Sequence, residues 1–190
     1  MTHVSVSFAG INEVWGVNSL GQVMRFHYSD RRWTLERRVP GPRLKQVSVS
    51  CDGSVLWGID DDDRLFACNL AHLDWQSIPG WLSQVSISWG GTEVWGVNAK
   101  GEVWRRSGID SLWKKVDAPE PLRQVVVSGD GYHVWGVDRE SRMFHRAEWT
   151  SCTPYWHRIF GRVAHICVAY NGMQVWALTQ DGHLWTYNGT

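Results

Sequence analysis

Three tryptophans, Trp81, Trp89 and Trp149, stand apart from the other eleven in this 190-residue chain. The eleven recur at matching places in a repeated pattern; these three do not. A flat indole that the pattern does not require is suited to stacking against a ligand. Polar partners are available. Asn18, Asp60, Asn98 and Asp138 open four of five equivalent loops, and Arg43 and Arg123 lie on the segments that link one unit to the next. Aromatic faces beside amide, carboxylate and guanidinium groups make binding chemistry. Catalytic chemistry is not apparent. The eight histidines (His3, His27, His72, His133, His145, His157, His165 and His183) do not recur with the repeat and form no HExxH pair. There is no GxSxG elbow, no Walker loop and no repeated acid, base or nucleophile. The expectation is a binding protein, not an enzyme, with no cofactor and no metal. The run Asp60-Asp61-Asp62-Asp63 suggests calcium at first sight. In register with Asn18-Ser19-Leu20-Gly21 and Asn98-Ala99-Lys100-Gly101 it reads instead as a hairpin whose first residue caps a tight turn.

The elements that must carry these residues are set by the repeat. Trp15, Trp57, Trp95, Trp135 and Trp176 are separated by 42, 38, 40 and 41 residues. A period near forty marks a repeat architecture. Each unit opens on a short strand such as Val4-Ser5-Val6-Ser7 or Val47-Ser48-Val49-Ser50, turns at a glycine, and continues as Val-Trp-Gly-Val or a close variant. A third apolar strand follows (Val103-Trp104, Leu184-Trp185), then a fourth marked by Trp33, Trp75, Trp113 or Trp156. The fifth unit has no fourth-strand tryptophan. Four short strands per unit, β-branched and aromatic and punctuated by Gly, Asn and Asp, form the pattern of a β-propeller blade. The Val-Trp-Gly-Val strand is apolar throughout, as expected of a strand covered on both faces. The fold expected is therefore all-β: a single propeller over residues 1–190 with about five four-stranded blades, the last incomplete. The units run about 4–46, 47–84, 85–124, 125–165 and 166–190.

Charge is balanced, with 19 basic and 19 acidic residues. No basic stripe is present, which argues against nucleic acid. The cluster Arg31, Arg32, Arg37 and Arg38 flanks a strand edge, where charge is common. No apolar run is long enough for a transmembrane helix. Cys51, Cys68, Cys152 and Cys167 show no CxxC spacing and are expected to be free thiols. The expected location is cytoplasmic, or secreted if a leader lies outside this chain.

The full phrase, V-S-x-S, Gly, V-W-G-V-[ND]-x-x-G, then Trp and a link such as Pro79-Gly80-Trp81-Leu82-Ser83-Gln84-Val85, resembles the tectonin repeat. The resemblance extends over essentially the whole chain. Unit five departs most, with Ala177 for Gly and Thr179 for Asn or Asp. It implies a propeller lectin of the innate-defence type that recognises glycans on microbial or cell surfaces, including O-methylated sugars and bacterial lipopolysaccharide. The family's other branch implies a protein-interaction propeller within an intracellular trafficking or autophagy scaffold. A pyranose would stack on an indole and direct its hydroxyls to amides or carboxylates. Repeated sites would gain from multivalency. Gly16, Gly58, Gly96 and Gly136 either open space for a sugar beside the neighbouring tryptophan or permit close blade packing.

Connectivity places the loops between strands two and three, and the links between units, on one face, with Asn18, Asp60, Asn98, Asp138, Trp81, Arg43 and Arg123. Trp89 and Trp149 fall on the other. The end of the ring is open in this reading. A five-blade ring with a three-stranded last blade is favoured. A segment of a six-bladed propeller, or an arc that self-associates through its incomplete last blade, would fit the same letters.

Overall fold

The computed structural model of the chain describes residues 1–7, 14–36, 41–148 and 154–188. Blade one comprises β1 (His3–Val6), β2 (Val14–Val17), β3 (Val23–His27) and β4 (Arg32–Leu35). Blade two comprises β5 (Gln46–Val49), β6 (Val55–Ile59), β7 (Arg64–Asn69) and β8 (Asp74–Trp81). Blade three comprises β9 (Gln84–Ile87), β10 (Val94–Val97), β11 (Val103–Arg106) and β12 (Lys114–Val116). Blade four comprises β13 (Leu122–Val127), β14 (His133–Asp138), β15 (Arg142–Ala147) and β16 (Trp156–Arg162). Blade five has β17 (His165–Val168), β18 (Gln174–Leu178) and β19 (Leu184–Asn188). All are antiparallel meanders, four sheets of four strands and one of three, forming a five-bladed β-propeller. A single 3-10 turn, Trp89–Gly91, is the one helical piece among the described residues.

Register repeats from blade to blade. The Val-Trp-Gly-Val tryptophan pairs with a serine on the inner strand in blades one to three: Trp15 with Ser5, Trp57 with Ser48, Trp95 with Ser86. Some of these serines also join blades. Ser5 Oγ accepts the Val49 N–H at 3.0 Å and Ser86 Oγ accepts the Val127 N–H at 3.1 Å. The hairpin between strands two and three needs left-handed backbone at its fourth residue. Gly21, Gly101 and Gly182 supply it at φ of 75°, 87° and 86°. Asp63 and Ser141 adopt it at 62° and 67° despite their side chains.

Packing follows one rule at four joints. The tryptophan of each blade is buried under the inner-strand valines or isoleucine and the link residue of the next. Trp15 packs with Leu44, Val47 and Val49; Trp57 with Leu82, Val85 and Ile87. Trp95 packs with Leu122, Val125 and Val127; Trp135 with Val163 and Ile166. The glycines of the second strand serve this packing. A Cβ at Gly58, Gly96 or Gly136 would lie 2.4–2.6 Å from Leu44, Leu82 or Leu122 respectively. Of the two roles open to these glycines, close blade packing is the one found, with leucine occupying the space beside each.

Glutamines add a polar clamp. The Gln84 amide is used on both sides: its Nε2 donates to the Val125 carbonyl at 2.8 Å and its Oε1 accepts the Val125 N–H at 2.9 Å. Gln46 grips Val85 and Gln124 grips Ile166 in the same way. In blades one and five the corresponding positions are His3 and His165.

No buried core joins blade five to blade one among the described residues. Trp176 is 41% exposed where its four counterparts are at most 2% exposed. Burial in β18 alternates, with Gln174, Trp176 and Leu178 outward and Val175 and Ala177 inward, whereas β14 is buried at every position. Across this seam His165 lies close enough to His3 to help burial lower the His3 pKa.

Candidate functional site

The links between blades are tied to the hairpins between strands two and three. The N–H of Leu44, Leu82, Leu122 and Val163 donates to the carbonyl of Gly21, Asp63, Gly101 and Ser141, at 2.8, 3.0, 2.9 and 2.9 Å respectively. These bonds hold both kinds of segment on one face. Between blades two and three they frame a cleft of about 360 Å³. It is lined by Trp81, Trp104 and Trp113 with Asn98, Lys100 and Asp63 among its polar groups. Gly80, at φ 123°, brings the link across the edge of Trp113, whose Nε1 donates to the Pro79 carbonyl at 2.9 Å. Trp113 also stands edge-on to the buried Trp57, with the centroids 6.1 Å apart. The Arg106 guanidinium lies 5.5 Å from the Trp57 ring and 5.2 Å from the Trp113 ring, and burial lowers its pKa. Trp113 is therefore a fixed wall. Trp81, 71% exposed, is the free aromatic face.

Of the residues singled out from sequence, Trp81 and Asn98 meet in this cleft. All four members of the Asn/Asp set are engaged by their own hairpins. Asn18 Oδ1 accepts the N–H groups of Leu20 and Gln22 at 2.9 and 3.0 Å. Asp60 is buried, accepts the Arg64 N–H at 2.8 Å and pairs with the Arg64 Nε at 2.6 Å. Asp138 is buried and holds Arg142 likewise, at 2.7 and 2.5 Å. Asn98 makes the same turn bonds to Lys100 and Glu102, at 3.0 Å each, and its Nδ2 donates to Glu102 at 2.7 Å. The aspartate run is thus a capped hairpin, with Asp63 bound to Lys45 and Asp62 to Arg64. No cluster of three or more His, Cys, Asp or Glu that could hold a metal occurs among the described residues.

Arg43 is exposed. Arg123 is a strap: its Nε donates to the Asp138 carbonyl at 3.0 Å and its guanidinium to the Val163 carbonyl at 2.9 Å, and burial lowers its pKa. Trp89 lies away from the cleft, in the 3-10 turn. Its N–H donates to the Gly129 carbonyl at 2.8 Å and its ring meets Tyr170 edge-on at 5.8 Å. Trp149 lies outside the described residues. Sequence reasoning missed Trp104 and Trp113 as cleft residues because both sit in repeat positions and were assigned to packing. The available signal was Pro79-Gly80-Trp81, which sets a second aromatic beside them.

The architecture defines a class: repeat-built β-propellers with four-stranded blades. Solved structures of similar fold include the following two. A virginiamycin B lyase from Staphylococcus aureus superposes with a TM-score of 0.62 at 11% identity, over 97% of this chain and 69% of that one. Human WBSCR16 does so with a TM-score of 0.65 at 12% identity, over 93% of this chain and 59% of that one. At such identities the likeness is one of fold alone. Within that class, the family model of the tectonin domain matches residues 1–190, and the chain belongs to the tectonin family. Tectonin-1 of Physarum polycephalum is 36% identical over 58 residues, 30% of this chain and 24% of that protein. The chain thus matches about a quarter of that relative's length.

Proposed function

We propose that this propeller is a multivalent carbohydrate-binding lectin that recognises glycans on microbial or cell surfaces, with O-methylated sugars and bacterial lipopolysaccharide as the first ligands to examine. The cleft between blades two and three supports this reading most directly. It sets the exposed Trp81 face beside Trp104, with Asn98 and Lys100 at its edge. Such a site stacks the C–H face of a pyranose and donates hydrogen bonds to its hydroxyls. Membership of the tectonin family agrees with it. Binding, not catalysis, is the activity assigned, since the cleft's one carboxylate, Asp63, is paired with Lys45. An innate-defence role follows if the glycan is microbial. The test is a glycan array carrying O-methylated sugars and bacterial core oligosaccharides, repeated with Trp81→Ala. Binding that depends on Trp81 supports the reading; a blank array with folded protein rejects it.

Association between copies would raise the valency. The exposed Trp176, Leu178 and Leu184 of blade five support this, because Val4 and Val6 are exposed on the other side of the seam. The counterparts of those valines, Val47 and Val49, are buried under Trp15. Sedimentation velocity over a concentration series tests the association. The same face favours a second reading, a protein-interaction propeller of a trafficking scaffold. No helix among the described residues is long and apolar enough to cross a membrane.

A further inference from the structure

Blade five lacks a fourth strand among the described residues, and its sister blades show what that place holds. In blade three β12 runs antiparallel to β11, pairing Val116 with Val103 and Lys115 with Trp104. In blade four Ile159 pairs with Met143, and Trp156 with Arg146. In blade two Ile78 pairs with Leu65, and Trp75 with Cys68. The pattern Trp-x-x-Val/Ile therefore fills the outer edge of three blades. Its tryptophan also crosses to the preceding blade. Trp113 Nε1 reaches the Pro79 carbonyl at 2.9 Å, Trp156 Nε1 reaches the Asp117 carbonyl at 3.0 Å, and Trp75 lies against Gly41.

The receiving side of this contact is present for blade five. In both β8 and β16 the strand pairing shifts just before the link, leaving Pro79-Gly80 and Phe160-Gly161 as bulges. Gly80 and Gly161 share nearly the same backbone, at φ 123° and 121°. A Cβ on Gly80 would meet Trp113 at 3.0 Å, whereas a Cβ on Gly161 would meet nothing within 4 Å. Phe160 is fully exposed. The cleft there, lined by Phe160, Gly161, Trp185 and Tyr187 among others, has a volume of about 710 Å³, roughly twice that of the equivalent cleft at blade three.

We propose that the outer edge of β19 is a strand-binding site for an extended segment of pattern Trp-x-x-Val/Ile, running antiparallel to β19. The edge offers unpaired backbone groups, as in recognition by strand addition. By the sister register the aliphatic residue falls opposite Leu184 and the tryptophan opposite Tyr187, with its indole over Gly161 and its N–H toward the Phe160 carbonyl. In blade three Lys115, two residues after the tryptophan, pairs with Glu102 at 2.6 Å. The corresponding position in blade five is His183, which carries Asp181 at 3.0 Å. Blade five thus presents an imidazole where blade three presents the Glu102 carboxylate, so the site does not call for a basic residue two places after the tryptophan. This inference is independent of glycan binding.

The probe is a fluorescein-labelled peptide copying residues 110–118, titrated with the whole chain and read by anisotropy. A second peptide carries alanine in place of Trp113. Saturable binding is expected, weakened roughly tenfold or more in the alanine peptide. Hydrogen exchange should slow at amides within 184–188 when the first peptide binds. The proposal is overturned by any of four results: no saturable binding up to about 1 mM, equal binding of both peptides, protection confined to other strands, or protection, already present without peptide, of the amides within 184–188 that face away from β18. The last would show the edge filled by another copy.

Discussion

The joint between blades three and four and the seam between blades five and one are written in nearly the same letters but packed differently. At the joint, Trp95 is fully buried against Leu122 and Val125, and Gln84 grips both backbone groups of Val125. At the seam, Trp176 is 41% exposed, Val4 and Val6 are exposed, and His165 stands where the glutamine would be. The difference teaches that a repeat letter specifies what a residue can pack against, while burial depends on the neighbour that arrives.

Matched substitutions sharpen this contrast. Trp95→Ala should destabilise by about 3–5 kcal/mol in urea denaturation, against about 1 kcal/mol or less for Trp176→Ala. Equal losses would mean that the seam is closed in solution. Gln84→Ala leaves the buried Val125 N–H and carbonyl without their partner, a loss of about 1–3 kcal/mol. The corresponding His165→Ala should change stability by no more than about 0.5 kcal/mol, which the same titration would reveal.

Acid should loosen one joint selectively. His145 is pushed down to about 4 from 6.5 by burial first, then by His133 and His157. Its neighbour His133, 2.9 Å away, packs beneath Gly172 of blade five and is itself lowered by burial against the opposing pull of Asp130. The folded state holds His145 neutral. Its contribution is therefore complete above about pH 6.5 and is lost as pH falls toward 4. The melting temperature should drop across that window, and less so in His145→Phe; identical pH profiles would remove the histidine pair from the account. Trp81→Ala, like His165→Ala, should change stability by no more than about 0.5 kcal/mol, although this substitution should abolish glycan binding at its cleft. Loss of fold alongside binding would make Trp81 structural.

Much of the fold was legible because the repeat copies both strand pattern and turn chemistry. The tryptophan period located the five blades, and the Asn/Asp column identified capped hairpins. Two features were not fully legible. The glutamine before each inner strand was visible as a letter, but its role depends on a backbone that another blade supplies. The cleft was half legible: Trp81 stood out as an extra residue, whereas Trp104 and Trp113 were concealed by belonging to the repeat. Asp60 and Asp138 show the converse. They looked available for a ligand, yet each is buried with an arginine four residues later in its own loop.

The glutamine clamps all point one way. Gln46 holds Val85, Gln84 holds Val125 and Gln124 holds Ile166, so each of these blades grips the one after it. The succession of blades therefore has a polarity. Blades three, four and five are each held by the glutamine of their predecessor, whereas blade five carries His165 in place of that glutamine. Opening by thermal motion should start at that free end and travel backwards, blade by blade, as a graded series of partial unfoldings rather than a single event. The protein would then behave less like a sealed ring than like a chain of linked clasps with its last clasp undone.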